Sequence, residues 1–237
     1  MNVLTWIASL LAILIIYWLA FAYYKINISG KLVRSAVPFS ILGNNYTKTL
    51  LVVGDSTAVG VGAHSSSDSI PGKVASYIDA TYVENHAISG SLIKDLTAQL
   101  ELVTRDHYDM ILLQIGANDI VRFHDINIVD KELRPLLITL NKKSAKVIFI
   151  SAGNVGGAPL IPPPLRPFYT RLNLTYHEHF ESLAKETGVM YINLYQNPSE
   201  DPFMKNPKKY FAEDSFHPSS LGYEVWFELM KKKLSSQ

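Results

Sequence analysis

Ser56 stands directly behind Gly54 and Asp55, where an apolar run ends in LLVVGDSTAVGVGA (50–63). A serine hydroxyl is a poor nucleophile until a base lies within hydrogen-bond reach and a third group orients that base. The chain offers seven histidines. His177 and His179 stand two apart in a helical stretch, so their side chains diverge, and no H-E-x-x-H pattern is present. His64, His107 and His124 lie in polar or loop contexts, and His86 falls in a weak strand. His217 differs: Asp214 stands three residues before it and Pro218 directly behind it. Within one turn Asp214 can reach Nδ1 of His217, fixing the tautomer and leaving Nε2 to face a hydroxyl. The alternative is that Asp214 only caps the helix that follows.

Acyl transfer also needs donors for a tetrahedral oxyanion. Gly90 has no side chain, so its N–H can approach a substrate closely, and Asn118 offers an amide N–H₂. A turn glycine and an Asx-turn are the competing readings of these two residues. The stretch around Ser56 does not fit two other loops. A Walker loop needs G-x-x-x-x-G-K-[ST], but no lysine follows, and Asp55 inside an anion nest would repel a phosphate. The G-x-S-x-G elbow fails at Ala58, and Ser56 follows the first strand of the domain, too early for that fold.

These residues need a scaffold that brings them to one place. Five apolar β-type runs occur, at 49–53, about 82–88, 109–115, 146–151 and 189–194. Three are continuous rather than alternating, as in strands covered on both faces. Helical patterns at about 70–80, 91–104, 128–142, 169–187 and 218–234 alternate with them. This order predicts an α/β fold, a three-layer α/β/α sandwich around a five-stranded parallel, doubly wound sheet. In such sheets ligands bind outside the carboxyl ends of the strands. Gly54–Ser56, Ser89–Ser91 and Gly116–Asp119 follow strands, and Asp214–His217 follows the last one after a long connection. The segment 153–168, GNVGGAPLIPPPLRPF, holds five of the 12 prolines and can be neither helix nor inner strand. It is expected to wall a pocket, together with the region around Arg122, Phe123 and His124.

The first residues read as a separate object. Residues 3–24 carry no charge, and at 1.5 Å per residue they cover the roughly 30 Å of a hydrocarbon core. Trp6 at one end and Tyr23 and Tyr24 at the other suit membrane interfaces. Residues 1–24 are therefore expected to be a transmembrane anchor or an uncleaved signal, 25–47 a linker, and 48–237 the catalytic domain. Ala20-Phe21-Ala22 resembles a cleavage site, but the apolar run is long for a signal peptide and no Lys or Arg precedes it. Lys25, Lys31 and Arg34 follow the span, which favours a cytoplasmic domain. Only Met1 and Asn2 precede it, so the cell-envelope side stays open as well. Asn27, Asn45 and Asn173 head N-x-S/T triplets that matter only in a eukaryotic secretory route.

Composition narrows the chemistry. With 22 basic and 21 acidic residues the net charge is +1, and no long basic stripe is present, which argues against a nucleic-acid partner. The absence of cysteine excludes disulfides, thiolate catalysis and Cys-ligated zinc.

From about residue 48 to 234 the sequence resembles the SGNH (GDSL) hydrolases, in their arylesterase- and lysophospholipase-like branch. Four blocks carry the resemblance in order: Gly54-Asp55-Ser56, Asn85 to Ser91, Gly116-Ala117-Asn118-Asp119, and Asp214-Ser215-Phe216-His217. Ala87 departs from it, where many members carry glycine. The resemblance implies a flavodoxin-like sheet, Ser56 as nucleophile, His217 as base and Asp214 as its partner. It further implies an oxyanion hole from the Ser56 N–H, the Gly90 N–H and the Asn118 side chain, with no metal or cofactor. Asp55 and Asp119 are then structural hydrogen-bonders. The expected activity is hydrolysis of a small-molecule or lipid ester through an acyl-serine intermediate. The alternatives are removal or transfer of acetyl groups on a cell-envelope polysaccharide, and a catalytically idle, membrane-tethered binding module.

Overall fold

The computed structural model describes residues 2–44 and 46–235. Asn45, which heads one of the N-x-S/T triplets, lies outside the described residues. Five parallel strands form the sheet in the order β2-β1-β3-β4-β5. They are β1 (Thr49–Gly54), β2 (Tyr82–Asn85), β3 (Met110–Gln114), β4 (Val147–Ile150) and β5 (Met190–Ile192). The predicted runs and the strands coincide, with four trimmed at their ends and β1 carried one residue further, to Gly54. β2 stops at Asn85 rather than 88 because its register with β1 ends at the pair Val52 and Asn85.

Continuous apolar strands arise because both faces are covered. Leu51, Val53, Ile111, Leu113 and Phe149 point into one core layer, and their neighbours Leu50, Val52, Leu112, Ile148 and Ile150 into the other. The first layer packs on helices Ile126–Lys143 and Arg166–Thr187, the second on Ile70–Tyr77 and Ser220–Ser235. This is the expected three-layer arrangement, with order 2-1-3-4-5 and its switch point between β1 and β3.

The N-terminal helix spans Val3–Ser35, 33 residues, capped by the Asn2 side chain accepting from the Thr5 N–H. It is long and apolar enough to cross a membrane. Where the sequence predicts a linker from residue 25, the helix instead runs on to Ser35. Gly30 costs a helix interior about 1 kcal/mol. Against that, Leu32 and Val33, followed by Ala36 and Phe39, pack onto the second core layer of the α/β domain. Tertiary burial decides the outcome. Beyond the helix, Ile41 exchanges both backbone hydrogen bonds with Val83 and so covers part of the exposed edge of β2.

Candidate active site

The turn after β1 explains the residue types around Ser56. Gly54 has a φ of 152°, and a Cβ there would lie 2.0 Å from the Gln114 carbonyl oxygen of β3. Asp55 donates its N–H to that same carbonyl (3.0 Å) and then caps the helical turn Ser56–Val59. Its Oδ1 accepts from the Thr57 N–H at 2.8 Å and the Thr57 hydroxyl at 2.7 Å. Burial pushes the Asp55 carboxyl up to about 6, against the pull of the Thr57 hydrogen bonds. As the first residue of the turn, Ser56 keeps an N–H without an intrahelical partner.

A second loop brings the imidazole. His217 Nδ1 lies 2.5 Å from Asp214 Oδ2, and its Nε2 lies 2.8 Å from Ser56 Oγ. These bonds set the tautomer: Nδ1–H donates to the carboxylate, and Nε2 accepts from the serine hydroxyl. Asp214 Oδ1 also accepts from the backbone N–H groups of Phe216 and His217, each at 3.0 Å. Burial raises the Asp214 carboxyl, but the hydrogen bonds and the facing imidazole outweigh it and hold it below its ordinary value. Asp214 is fully buried and bonds the imidazole through Oδ2 as well as the two backbone N–H groups through Oδ1.

The two loops meet over a glycine. Gly62 has a φ of 91°, and a Cβ there would sit 2.4 Å from the Pro218 carbonyl and 3.2 Å from His217 Cβ. From the C-terminal helix, the Tyr223 hydroxyl donates to the Val61 carbonyl at 2.8 Å. The same helix therefore supports the serine loop and follows directly from the histidine loop.

Asn118 lines the same cavity as Ser56 and His217. Its Nδ2 donates to the Ser91 carbonyl at 3.0 Å, which orients the amide and ties it to the turn after β2. In that turn the Ser91 N–H bonds to the Ile88 carbonyl, and Gly90 takes the left-handed φ of 86°. Gly90 sits on the turn that Asn118 holds but is not on the cavity wall. Asp119 is completely buried and accepts from the Ile93 N–H and from His124 Nδ1. It joins the loops after β2 and β3, as a structural hydrogen-bonder would.

The cavity beside Ser56 encloses about 40 Å³. Val155, Leu194, Phe203, Phe211, Phe216 and Trp226 make most of its wall apolar. The start of the proline-rich segment, 153–155 with Ala158, does line it, as expected. Arg122, Phe123 and His124 do not. Phe123 turns outward at a φ of 55° and packs on Phe168 and Tyr169, and His124 is held by Asp119.

One positioning residue escapes the motif reading. Gln99 is completely buried, and it accepts from the Gly54 N–H and donates to the Gly54 carbonyl, both at 2.8 Å. It donates to Ser91 Oγ as well, at 3.0 Å. The available signal is a glutamine on the face of the 91–104 pattern that Leu96 also occupies. His177 likewise faces inward, against Tyr191, and burial pushes its imidazole down to about 4.

A family model described as the GDSL-like Lipase/Acylhydrolase family matches residues 52–225. A search of curated proteins found no match. Solved structures share the fold at low identity. A member of the lipolytic protein G-D-S-L family from Veillonella parvula is 16% identical with a TM-score of 0.63, over 81% of this chain and 100% of that one. A phospholipase A1 from Streptomyces albidoflavus is 15% identical with a TM-score of 0.60, over 78% of this chain and 99% of that one. Axe2, an acetylxylan esterase from Geobacillus stearothermophilus, is 20% identical with a TM-score of 0.54, over 78% of this chain and 93% of that one.

Proposed function

This chain belongs to the GDSL-like lipase/acylhydrolase family, and from that premise we propose that it is a membrane-anchored serine esterase for short acyl groups. The observation that carries the reading is the chain of contacts from Asp214 through His217 to Ser56 Oγ, at 2.5 and 2.8 Å. Ser56 Oγ attacks the ester carbonyl while His217 Nε2 takes its proton, and Asp214 stabilises the imidazolium that forms. The tetrahedral oxyanion is held by the Ser56 N–H and the Asn118 amide, while Gly90, off the cavity wall, lies in the turn to which Asn118 is tied. His217 returns the proton to the leaving alcohol as the C–O bond breaks. Water, deprotonated by the same imidazole, then releases the acyl group from Ser56.

The alanine variant of Asn118 lowers kcat by about 10²–10³ with a smaller change in KM, the effect of losing one oxyanion donor. Single-turnover acylation of the full chain measures it. An unchanged acylation rate removes Asn118 from the oxyanion hole.

Short acyl groups follow from the size of the cavity. Across p-nitrophenyl acetate, butyrate and octanoate, kcat/KM is highest for the two short esters. Trp226→Ala opens the far wall and raises octanoate turnover relative to acetate by at least about tenfold. Each methylene newly buried is worth about 0.8 kcal/mol. Octanoate turning over as well as acetate in the wild type rejects the short-acyl assignment. A cavity of acetyl size also favours a second reading, deacetylation of a cell-envelope polysaccharide, which acetate release from acetylated glycan tests.

The apolar length of Val3–Ser35 supports the anchor. Carbonate-washed membranes retain the full chain if the helix spans the bilayer and release it if the helix is removed as a signal.

A further inference from the structure

A second concavity lies on the other side of the histidine loop. It is a groove of about 890 Å³ between the N-terminal helix and the segment 207–221. Phe21, Lys25 and Leu32 form the helix side, and their spacing of four and seven places them on one face. Lys208, Lys209 and His64 stand on the domain side. Phe211 lines both this groove and the cavity beside Ser56, so only the loop of Asp214 and His217 separates the two.

The position of the groove along the helix is set by charge. Lys25 is the first charged residue after the uncharged run 3–24, so a helix that spans the bilayer places it at the headgroup level. Ala22 is buried, and the Lys25 ammonium donates to the Glu213 carbonyl of the domain at 2.6 Å. The domain is therefore seated against the end of the span. Lys208 and Lys209 are exposed at this rim, and Glu213 is the acidic residue on the wall.

We infer that this groove binds the headgroup of an anionic phospholipid, with the phosphate between Lys25 and the Lys208–Lys209 pair and the acyl chains leaving along Phe21. The inference rests on the proposed membrane anchor. Charge complementarity, a volume in the range of small-molecule sites and continuity with the span select this occupant. The lipid is a fixed ligand and not the substrate. It holds the segment 207–213, which leads directly into Asp214, against the membrane surface.

Native mass spectrometry of the full chain in detergent tests the site. The Ser56→Ala background is used so that no ester is turned over. Phosphatidylglycerol, phosphatidylcholine and inorganic phosphate are the probes. The chain retains phosphatidylglycerol in preference to phosphatidylcholine, and Lys208→Gln/Lys209→Gln weakens that retention by roughly thirtyfold. Both substitutions are at exposed positions, and an unchanged melting temperature verifies the fold. Equal retention of the two lipids overturns the inference, as does full retention by the double variant. Displacement of the lipid by an equal concentration of inorganic phosphate also overturns it, by showing a free-phosphate site. Because binding is read without turnover, the result stands apart from the esterase assignment, and carbonate extraction tests the anchor separately.

Discussion

Replacing Ser56 with alanine lowers kcat for p-nitrophenyl acetate by a factor on the order of 10⁵–10⁶ and abolishes labelling by a fluorophosphonate probe. The size of the effect follows from the coupling of the three side chains. Without Oγ no covalent intermediate forms, and His217 has no hydroxyl to deprotonate. Residual hydrolysis then comes only from binding and the oxyanion donors, which together still give about 10³–10⁴ over water. The fold is not at risk. Ser56 is the first residue of a turn whose cap is Asp55, and alanine is a good helix former. The measurement is a burst and steady-state assay on the purified full chain, with intact mass after probe treatment. A variant that is still labelled at stoichiometry places the nucleophile elsewhere.

The second large effect is at Asp214. Asp214→Asn lowers kcat by about 10⁴ while leaving the loop folded. Asparagine keeps an oxygen that can accept from the Phe216 and His217 N–H groups, as Oδ1 does in the wild type. Its amide, however, donates toward Nδ1, so the imidazole turns to the tautomer with Nε2–H facing Ser56. That tautomer cannot accept the serine proton. Asp214→Ala differs by also stripping the loop of its acceptor, and it lowers the melting temperature in addition. Since the Asp214 carboxyl is held below its ordinary value, it stays ionised at neutral pH. Its depressed pKa means that its contribution to stability is complete above the ordinary carboxylate range and is lost as pH falls from that range through the lower pKa of the folded state. The asparagine variant removes that acid-side component of the stability profile. A variant with wild-type turnover assigns the orienting role to another group.

The sequence showed the sheet because burial on both faces leaves an unmistakable trace. Leu50 to Val53 and Ile111 to Leu113 have no polar position at all, and they serve alternating core layers. The order of chemistry-bearing turns was equally legible, since strand ends collect ligands whatever their side chains. What was hidden depended on contacts distant in sequence. Residues 25–35 contain a glycine and scattered charges, and only the domain surface waiting for Leu32 and Val33 makes them helical. Arg122 and Phe123 stood near Asn118 in sequence, yet a left-handed φ at Phe123 carries that turn away from the cavity. Gln99 was the least visible of these, because it belongs to no motif and two of its three partners are backbone atoms 45 positions away.

That glutamine has a wider meaning for the sheet. β2 pairs with β1 only as far as Val52, so the last residue of the serine strand lacks a neighbouring strand on that side. The primary amide of Gln99 presents the same donor and acceptor as a peptide group, and with the Ile88 N–H it completes the ladder at Gly54. It works as a one-residue surrogate strand. The segment after β2 is thereby free to turn away at Ser89–Ser91 instead of continuing the ladder beside the serine turn. In exchange, a position remote from the reaction tolerates only a side chain that imitates the backbone.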